Sequence, residues 1–261
     1  MVPDCGLAPG ISNILVGHAA KKLDKVLAIH ILVGGLPEKP VSPLGYVITW
    51  SAESLIDEYT RKVRIVRDGK KVMVNALTGL EEVDFPNVGK LEAFFTDGLR
   101  TLLHTMKGVE EMWEKTLRYS GHAEKIRLLK ALGFFEERKV SVDGVGVSPR
   151  RLTAKLFEQK LSKPEIRDIV ALKVTVFGFE DDEKRSYVYH TLDRYDERWE
   201  ITAMARTTAY PASIAAQLLL NGTVRERGVV PPEKMGMDDE FFTRFLNELK
   251  KRGINIVEKA S

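Results

Sequence analysis

The segment 114–122 (EKTLRYSGH) places side chains close together that could bind and deprotonate a small polar ligand. The guanidinium of Arg118 has the planar geometry that suits a carboxylate. The pattern predicts that Arg118 ends a strand and that His122 lies in the first turn of a helix beginning after Gly121. The positive end of the helix dipole disfavours a protonated imidazole, and a neutral imidazole can act as a general base.

The same segment also admits a purely structural interpretation. Arg118 could pair with Glu114 or Glu124, and His122 could be solvated at the surface. Two further segments precede predicted helices, at 96–98 (TDG) and 205–210 (ARTTAY). The first could be an N-cap. The second could bind an anion or could likewise be only a cap.

Composition narrows the function classes. The chain has 261 residues, with 40 Lys+Arg against 37 Asp+Glu and a net charge of +3. This balance argues against a nucleic-acid partner. Cys5 is the only cysteine, which excludes an internal disulfide and a multi-cysteine zinc site. The five histidines show no metal-ligand spacing, so we expect no metal site.

No apolar run has the length of a transmembrane helix, and residues 26–36 form the best candidate, interrupted by His30. We therefore expect a cytoplasmic protein without a membrane partner. The chain is rich in Lys, Glu and Arg, which favours a thermophilic source. No G-x-G-x-x-G or Walker loop occurs. Gly144 and Gly146 form a G-x-G without the third glycine, so the sequence contains no phosphate-binding loop.

Hydrophobic periodicity predicts alternating helices and strands, hence an α+β class with a mixed, largely antiparallel sheet. The clearest hairpin lies at 62–77, where Asp68-Gly69 supplies a tight turn. The segment 81–97 is predicted to be irregular. Predicted helices lie at 11–23, 51–59, 98–106, 121–132, 148–161, 207–220 and 238–252, and further strands at 26–33, 46–50, 110–118, 139–142, 169–178, 185–192, 199–204 and 254–257.

Five stretches together resemble the saccharopine dehydrogenase/reductase-like superfamily, and within it the lysine 6-dehydrogenase branch. They are residues 2–10 (VPDCGLAPG), 114–124 (ending RYSGHAE), 202–210, 227–233 (RGVVPPE) and 251–254. Many saccharopine-type members carry Asp where this chain has Ala8, which favours the lysine branch over a saccharopine substrate.

The resemblance implies a fold made of a Rossmann domain and a substrate-binding and dimerisation domain. Met1 then stands near the end of a late Rossmann strand. We expect residues 1–22 to end the Rossmann-type domain, 23–205 to form the substrate and dimerisation domain, and 206–261 to return to the Rossmann layer. The chain would form a homodimer, and a separate Rossmann-domain chain could complete it.

The resemblance also implies an activity and a site. Family members are NAD- or NADP-dependent enzymes that oxidise the carbon bearing an amine, and the lysine branch converts the side-chain amine of a small amino acid to a semialdehyde. Such a chain would be inactive without its cofactor half. Carried onto this sequence, the family's site takes the following residues: Gly6, Pro9 and Gly10 beside the nicotinamide, Thr96, Asp97, Arg118 and Tyr119 around the substrate, and His122 for proton removal.

Two other functions stay open at this point. The chain could be a non-catalytic module that binds an amino acid or forms dimers. It could also belong to a saccharopine or carboxynorspermidine-type reductase, which shares the fold. Titration with NAD would separate the first alternative from the enzyme.

Overall fold

A large mixed sheet forms the centre of the computed structural model, which describes residues 1–163 and 165–261. A separate two-stranded hairpin is formed by β7 and β8. The strands are β1 (Lys25–Pro37), β2 (Lys62–Arg67), β3 (Lys70–Asn75), β4 (Glu81–Phe85), β5 (Gly89–Phe95), β6 (Glu111–Tyr119), β7 (Val140–Val142), β8 (Val145–Val147), β9 (Asp168–Glu180), β10 (Glu183–Arg194) and β11 (Val257–Ala260).

The helices lie where amphipathic periodicity and capping residues predict most of them. Ser148 caps α5 by accepting from the Arg151 amide, with Pro149 in the first turn. Asp238 caps α8 in the same way through the Phe241 amide. The helices are α1 (Ile11–Lys22), α2 (Ala52–Thr60), α3 (Leu102–Thr105), α4 (His122–Ala131), α5 (Pro149–Leu161), α6 (Ala203–Leu220), α7 (Pro232–Gly236) and α8 (Asp239–Lys251).

The strand order of the main sheet is β11-β10-β9-β1-β6-β2-β3. The β1–β6 pair is parallel, and the other recorded pairs are antiparallel. On the edge of β6 that faces away from β1, β2 pairs with the start of the strand and β5 pairs with its second half. The predicted α+β class with a mixed, largely antiparallel sheet is confirmed.

The 62–77 hairpin forms as predicted. Asp68 and Gly69 have φ angles of 51° and 70°, which is the left-handed geometry that a two-residue hairpin turn requires. Two other predictions are wrong. The segment 81–97 contains the hairpin β4–β5, in which β5 is buried on both faces and so shows no alternation. Residues 46–50 form no strand.

Two more element boundaries differ from the sequence prediction. Residues 199–204 do not form a strand, because α6 already begins at Ala203, where Thr202 accepts from the Ala205 amide. The predicted helix 98–106 is reduced to α3, since residues 98 and 99 have no regular structure and residues 100 and 101 form a turn. The last strand lies three residues later than predicted, at β11.

Both ends of the chain pack on the same part of the molecule. Helices α1 and α7 approach closely, and a Cβ on Gly17 or Gly236 would lie 1.9 or 2.1 Å from a carbonyl oxygen of the other helix. Side chains of α1, α6 and α8 share one hydrophobic cluster with β1, β9 and β10. The predicted domain boundaries at 22 and 205 stay predictions.

Among the described residues, no helix combines the length and the apolar character needed to cross a bilayer.

Candidate functional site

A cavity of about 490 Å³ opens beside β6. Three even-numbered residues of β6 line it, because alternate side chains of a strand point to the same face. They are Glu114, Thr116 and Arg118. Helix α2 contributes Glu58, and the segment after β5 contributes Asp97. The cavity therefore collects charged side chains from three parts of the chain in one place.

Arg118 is buried in the cavity wall, with 3% of its surface exposed. Its Nη2 donates to Glu58 Oε1 at 2.9 Å and its Nη1 to the Leu117 carbonyl at 2.9 Å, while the guanidinium lies 4.5 Å from the ring centre of Tyr46. Burial alone would lower the pKa of Arg118, but Glu58 and two buried tyrosines outweigh it and raise that pKa. The sequence alternatives that paired Arg118 with Glu114 or Glu124 are wrong.

The guanidinium of Arg118 keeps unused donors. Its Nε–H is buried and has no hydrogen-bond partner. An arginine carries five N–H groups, and two of them are engaged in the bonds just described. Arg118 therefore keeps hydrogen-bonding capacity for an additional acceptor group, such as a carboxylate.

Glu114 is the second buried charge of the cavity, at 4% exposure. Thr96 Oγ1 donates to Glu114 Oε1 at 3.1 Å, whereas Glu114 Oε2 has no partner among the protein atoms. The carboxyl lies against Gly98, where an added Cβ would fall 1.7 Å from Oε2. Burial raises the pKa of Glu114 to about 8, so this carboxyl is mostly protonated at neutral pH.

The predicted residues Thr96 and Asp97 both line the cavity. Thr96 Oγ1 also lies 2.9 Å from Thr116 Oγ1. Asp97 accepts three hydrogen bonds from Arg64, from its backbone N, Nε and Nη2, at 2.9–3.2 Å. The N-cap interpretation of residues 96–98 is wrong, because α3 begins only at Leu102.

His122 lies behind the cavity wall and is absent from its lining. Its Nδ1 is 2.9 Å from the Leu44 carbonyl and its Nε2 is 2.8 Å from the Tyr59 hydroxyl. A carbonyl only accepts, so Nδ1 carries the hydrogen and Nε2 accepts from Tyr59. Burial, followed by the charge of Arg118, lowers the pKa of His122 to about 3.

The start of α4 is occupied by a carboxylate from the sheet. Glu92 on β5 accepts from the Gly121 amide at 2.9 Å and from the Ala123 amide at 2.5 Å. The neutral imidazole of His122 was predicted from the helix dipole, but burial is its main cause. The predicted role of His122 in proton removal stays a prediction, and its position joins α4 to α2 and to residue 44.

Tyr119 is also absent from the cavity lining. As an odd-numbered residue of β6 it points to the opposite face of the sheet, where its hydroxyl donates to the Pro37 and Glu38 carbonyls at 2.9 and 3.1 Å. Its predicted contact with substrate stays a prediction.

The turn before α1 borders the cavity through Gly6 and Pro9. Gly10 precedes α1 with φ 139°, and a Cβ there would lie 2.0 Å from the Gly6 carbonyl oxygen, so only glycine fits. Gly10 is not in the cavity lining. The predicted position of these residues beside a nicotinamide stays a prediction.

The anion site considered at residues 205–210 is already filled by acidic side chains. Asp168 accepts from the Ala203 and Met204 amides at 2.6 and 2.9 Å at the start of α6. Arg206 turns inward, donating to Asp196 at 2.7 Å and to the Arg252 carbonyl at 2.7 Å. Arg206 therefore serves the packing of α6, whereas Thr208 of the same segment lines the cavity. In the described part of the chain, no group of three potential His, Cys, Asp or Glu metal ligands occurs.

Sequence reasoning missed two carboxylates of the cavity. Glu58 had no signal, because its contact with Arg118 joins residues far apart in the chain. Glu114 had a signal: on a strand, positions 114, 116 and 118 share a face. Tyr46 and Trp50, assigned to a strand in the prediction, instead lie at the cavity wall, where Trp50 Nε1 donates to the Tyr46 hydroxyl at 2.9 Å.

Comparison with known proteins shows which family this chain matches. Residues 6–254 match the profile of the saccharopine dehydrogenase C-terminal domain. The L-glutamate-forming, NADP-dependent saccharopine dehydrogenase of Saccharomyces cerevisiae is 24% identical over 338 aligned positions, which cover 98% of this chain and 72% of the yeast protein. The folds agree as well: the apo yeast saccharopine dehydrogenase (L-Glu forming) superposes with a TM-score of 0.78 at 20% identity, covering 100% of this chain and 74% of that chain.

Two further relatives have other enzyme names. The carboxyaminopropylagmatine dehydrogenase of Synechocystis is 21% identical over 260 positions, 96% of this chain and 63% of its own length. The alpha-aminoadipic semialdehyde synthase of Arabidopsis thaliana is 30% identical over 342 positions, 98% of this chain and 32% of its own length. The chain thus spans less than two thirds of both of these proteins. The chain belongs to the saccharopine dehydrogenase C-terminal domain family of oxidoreductases.

Proposed function

We propose that the cavity beside β6 is the substrate pocket of a nicotinamide-dependent dehydrogenase that acts on the amine-bearing carbon of a small amino acid. The observation that carries this proposal is the buried Arg118, which retains a donor without a partner inside a cavity of about 490 Å³. Its guanidinium would bind the substrate carboxylate through charge-assisted hydrogen bonds. Glu58 holds the guanidinium in position from the other side.

The first candidate substrate is lysine, oxidised at its side-chain amine. The unsatisfied arginine and the unsatisfied carboxyl in the cavity wall suit its carboxylate and its side-chain amine, and the acidic Glu58 and Asp97 of the same cavity favour its α-ammonium group. Departure at Ala8 from the aspartate of many saccharopine-type proteins supports the same choice.

A second candidate is an N-substituted amine that carries one carboxylate, of the type named by the Synechocystis relative. The alignment with that relative has 260 positions for the 261 residues of this chain. The alignments with the yeast and Arabidopsis proteins extend over 338 and 342 positions, so those proteins contain inserted segments that this chain does not share. In overall length, the aligned region of this chain is therefore closer to the cyanobacterial relative than to the yeast and Arabidopsis proteins.

The cofactor would be NAD or NADP, and the printed name of the yeast relative gives NADP. The described residues contain no glycine-rich loop that joins a strand to a helix and could cradle a pyrophosphate. The residues of this chain therefore fit the substrate side of the reaction. We propose that the nucleotide is bound by residues outside this sequence, on the same or another polypeptide.

Association into dimers is part of the proposal. Several large apolar side chains are exposed on and around α4, α5 and the β7–β8 hairpin, and a contact surface would cover them. They are Leu128, Leu132, Val140, Val145 and Leu152. Light scattering on the purified chain tests this, and a monomer at all concentrations would contradict it.

The pocket assignment is tested by ligand titration. Isothermal titration of the chain with hexanoate and with lysine should show saturable binding that Arg118→Lys weakens at least tenfold, because a lysine cannot hold a carboxylate bidentately. Arg64→Lys, at an arginine whose partner Asp97 also lines the cavity, is the matched control. Binding that survives in Arg118→Lys unchanged would contradict the proposal.

A further inference from the structure

We propose that Glu114 binds the reacting amine of the substrate and accepts its proton, and that the pocket therefore selects amino acids whose amine is several carbons from the carboxylate. This inference rests on the proposed function, since it takes the cavity as the substrate pocket. It adds a residue that neither the resemblance nor the relatives' names contain, and it assigns to Glu114 the proton removal that the resemblance gives to His122.

The first support is the unsatisfied carboxyl. A buried polar atom without a hydrogen bond costs free energy, and native proteins leave few of them. Glu114 Oε2 is such an atom, and Glu114 lines the cavity. The other oxygen is fixed by the Thr96 hydroxyl. A ligand ammonium group would donate to the remaining oxygen and would favour the ionised form of the carboxyl.

The second support is the space around that oxygen. Gly98 lies directly over the carboxyl, and any side chain there would overlap it, at 1.7–2.0 Å from the carboxyl atoms. The φ angle of Gly98 does not require glycine, because it is not in the left-handed region. Room for the carboxyl is therefore the reason that glycine is needed at this position.

The third support is the separation between Glu114 and Arg118. Both residues lie on the cavity face of β6 with Thr116 between them. At about 3.3 Å per residue, the strand places their Cα atoms about 13 Å apart. The two side chains therefore occupy different positions along the pocket, which suits a linear ligand with a carboxylate at one end and an amine at the other.

The fourth support is electrostatic. Glu114 faces Glu58 on α2 and Asp97 and Arg100 after β5, and Arg118 lies further along its own strand. Burial is the largest influence on its pKa, the two carboxylates raise that pKa further, and Thr96 and Arg100 oppose the rise. The carboxyl is consequently mostly protonated at neutral pH before a ligand binds. An arriving ammonium group favours the carboxylate, so one proton leaves to solvent on binding.

The chemical step then balances within the complex. An N–H bond of the substrate ammonium breaks, an O–H bond forms on Glu114, and the electron pair stays on nitrogen. The neutral amine so formed can donate that pair toward its own carbon as hydride leaves, and a bound nicotinamide supplies the hydride acceptor. Glu114 is thus a proton acceptor in contact with the substrate, and Arg118 orients the opposite end.

The experiment compares two probes by isothermal titration in buffers of different ionisation enthalpy, which counts the protons released on binding. Hexanoate has only the carboxylate, and 6-aminohexanoate adds the distant amine. At pH 7, we expect the binding of 6-aminohexanoate to release close to one proton more than the binding of hexanoate does. Its affinity should rise by up to about tenfold per pH unit from pH 6 to 8, and that of hexanoate should not.

Glu114→Gln should abolish both the extra proton release and the pH dependence while retaining hexanoate binding, which also shows that the variant folds. Glu110→Gln, at an exposed glutamate just before the same strand, is the matched control and should behave as wild type. Equal proton release for the two probes, or release that persists in Glu114→Gln, would overturn the assignment of Glu114 and leave the substrate pocket standing. Failure of both probes to bind would overturn the proposed function itself.

Discussion

Two glutamates of this protein are almost completely removed from solvent and differ in how their oxygens are satisfied. Glu233 on α7 is 0% exposed and accepts from Asn13 Nδ2, Thr101 Oγ1 and Thr105 Oγ1 at 2.6–3.1 Å. Glu114 in the cavity is 4% exposed and accepts one hydrogen bond, at one oxygen. Burial with a full set of donors joins elements together, whereas burial with an unpaired oxygen leaves the group free to react.

The largest expected effect is the loss of the satisfied carboxylate. Glu233→Leu would remove the acceptor that three donors share, of which Asn13 and Thr105 keep a second acceptor and the Thr101 hydroxyl does not. We expect it to lower the free energy of unfolding by about 3–5 kcal/mol. Urea denaturation measures this change. Glu240→Gln, at an exposed glutamate of α8, is the control and should stay within about 0.5 kcal/mol of wild type. A loss below about 1 kcal/mol for Glu233→Leu would contradict the claim that this satisfied carboxylate holds structural elements together.

His122 provides the second test, because it is buried and satisfied but was predicted from sequence to be catalytic. His122→Phe removes the acceptor of the Tyr59 hydroxyl and the donor to the Leu44 carbonyl, and should cost about 2–4 kcal/mol in urea unfolding. Tyr59→Phe removes one of the two bonds and should cost about half as much. Affinity for hexanoate should change less than twofold in His122→Phe, and a larger change would place His122 in the binding machinery.

The pH dependence of the free energy of unfolding reports on the ionisation of Glu114. Its pKa is about 8 in the fold against the ordinary value of 4.5, so between these values the folded state holds the proton that the unfolded state has released. The free energy of unfolding therefore falls as pH rises through this window, by up to about 1.4 kcal/mol per unit. Glu114→Gln has no such penalty, and its stability advantage over wild type should grow by about 2 kcal/mol from pH 5.5 to 7.5.

Urea titrations of both proteins at the two pH values test this prediction. In wild type, the ionisation of His122 changes the free energy of unfolding with pH in the opposite direction. Its pKa is lowered from 6.5 to about 3, so its contribution to stability is present above 6.5 and is lost as pH falls toward 3. Because His122 is unchanged in Glu114→Gln, its effect cancels in the difference. A difference that is constant with pH would mean that Glu114 ionises normally.

The smallest change concerns Gly98. Gly98→Ala inserts a methyl group into the space of the Glu114 carboxyl and should lower the free energy of unfolding by about 1–3 kcal/mol, as overpacking does. It should also remove the preference for 6-aminohexanoate over hexanoate, because the carboxyl is displaced. Gly146→Ala, at an exposed glycine of β8 outside the left-handed region where a Cβ would make only an ordinary contact with Lys139, controls for the loss of a glycine. An unchanged preference would separate Gly98 from the amine site.

The sequence predicted the elements whose signals are local. The hairpin at Asp68-Gly69, the cap at Ser148-Pro149 and the strand leading to Arg118 are all set by neighbouring residues. It failed for β5, which is buried on both faces and so lacks alternation, and for residues 199–204, where Asp168 from a distant strand fixes the start of α6. Long-range contacts of this kind leave no periodic signal in the chain.

The residues of the candidate site show the same difference between local signals and long-range contacts. Arg118, Thr96 and Asp97 were predicted to surround a substrate, and they lie together at the cavity. Glu58 could not be found, because only the fold brings α2 against β6. His122 and Tyr119 were grouped with Arg118 by proximity in sequence, but the alternation of β6 and the turn at Gly121 direct them away from the cavity.

The most direct test of the central claim is a crystal structure of the chain with 6-aminohexanoate bound. We predict that the carboxylate of the ligand lies within hydrogen-bond distance of the Arg118 guanidinium and its amine within hydrogen-bond distance of Glu114 Oε2. A ligand bound in the reverse orientation, or bound outside this cavity, would contradict this prediction.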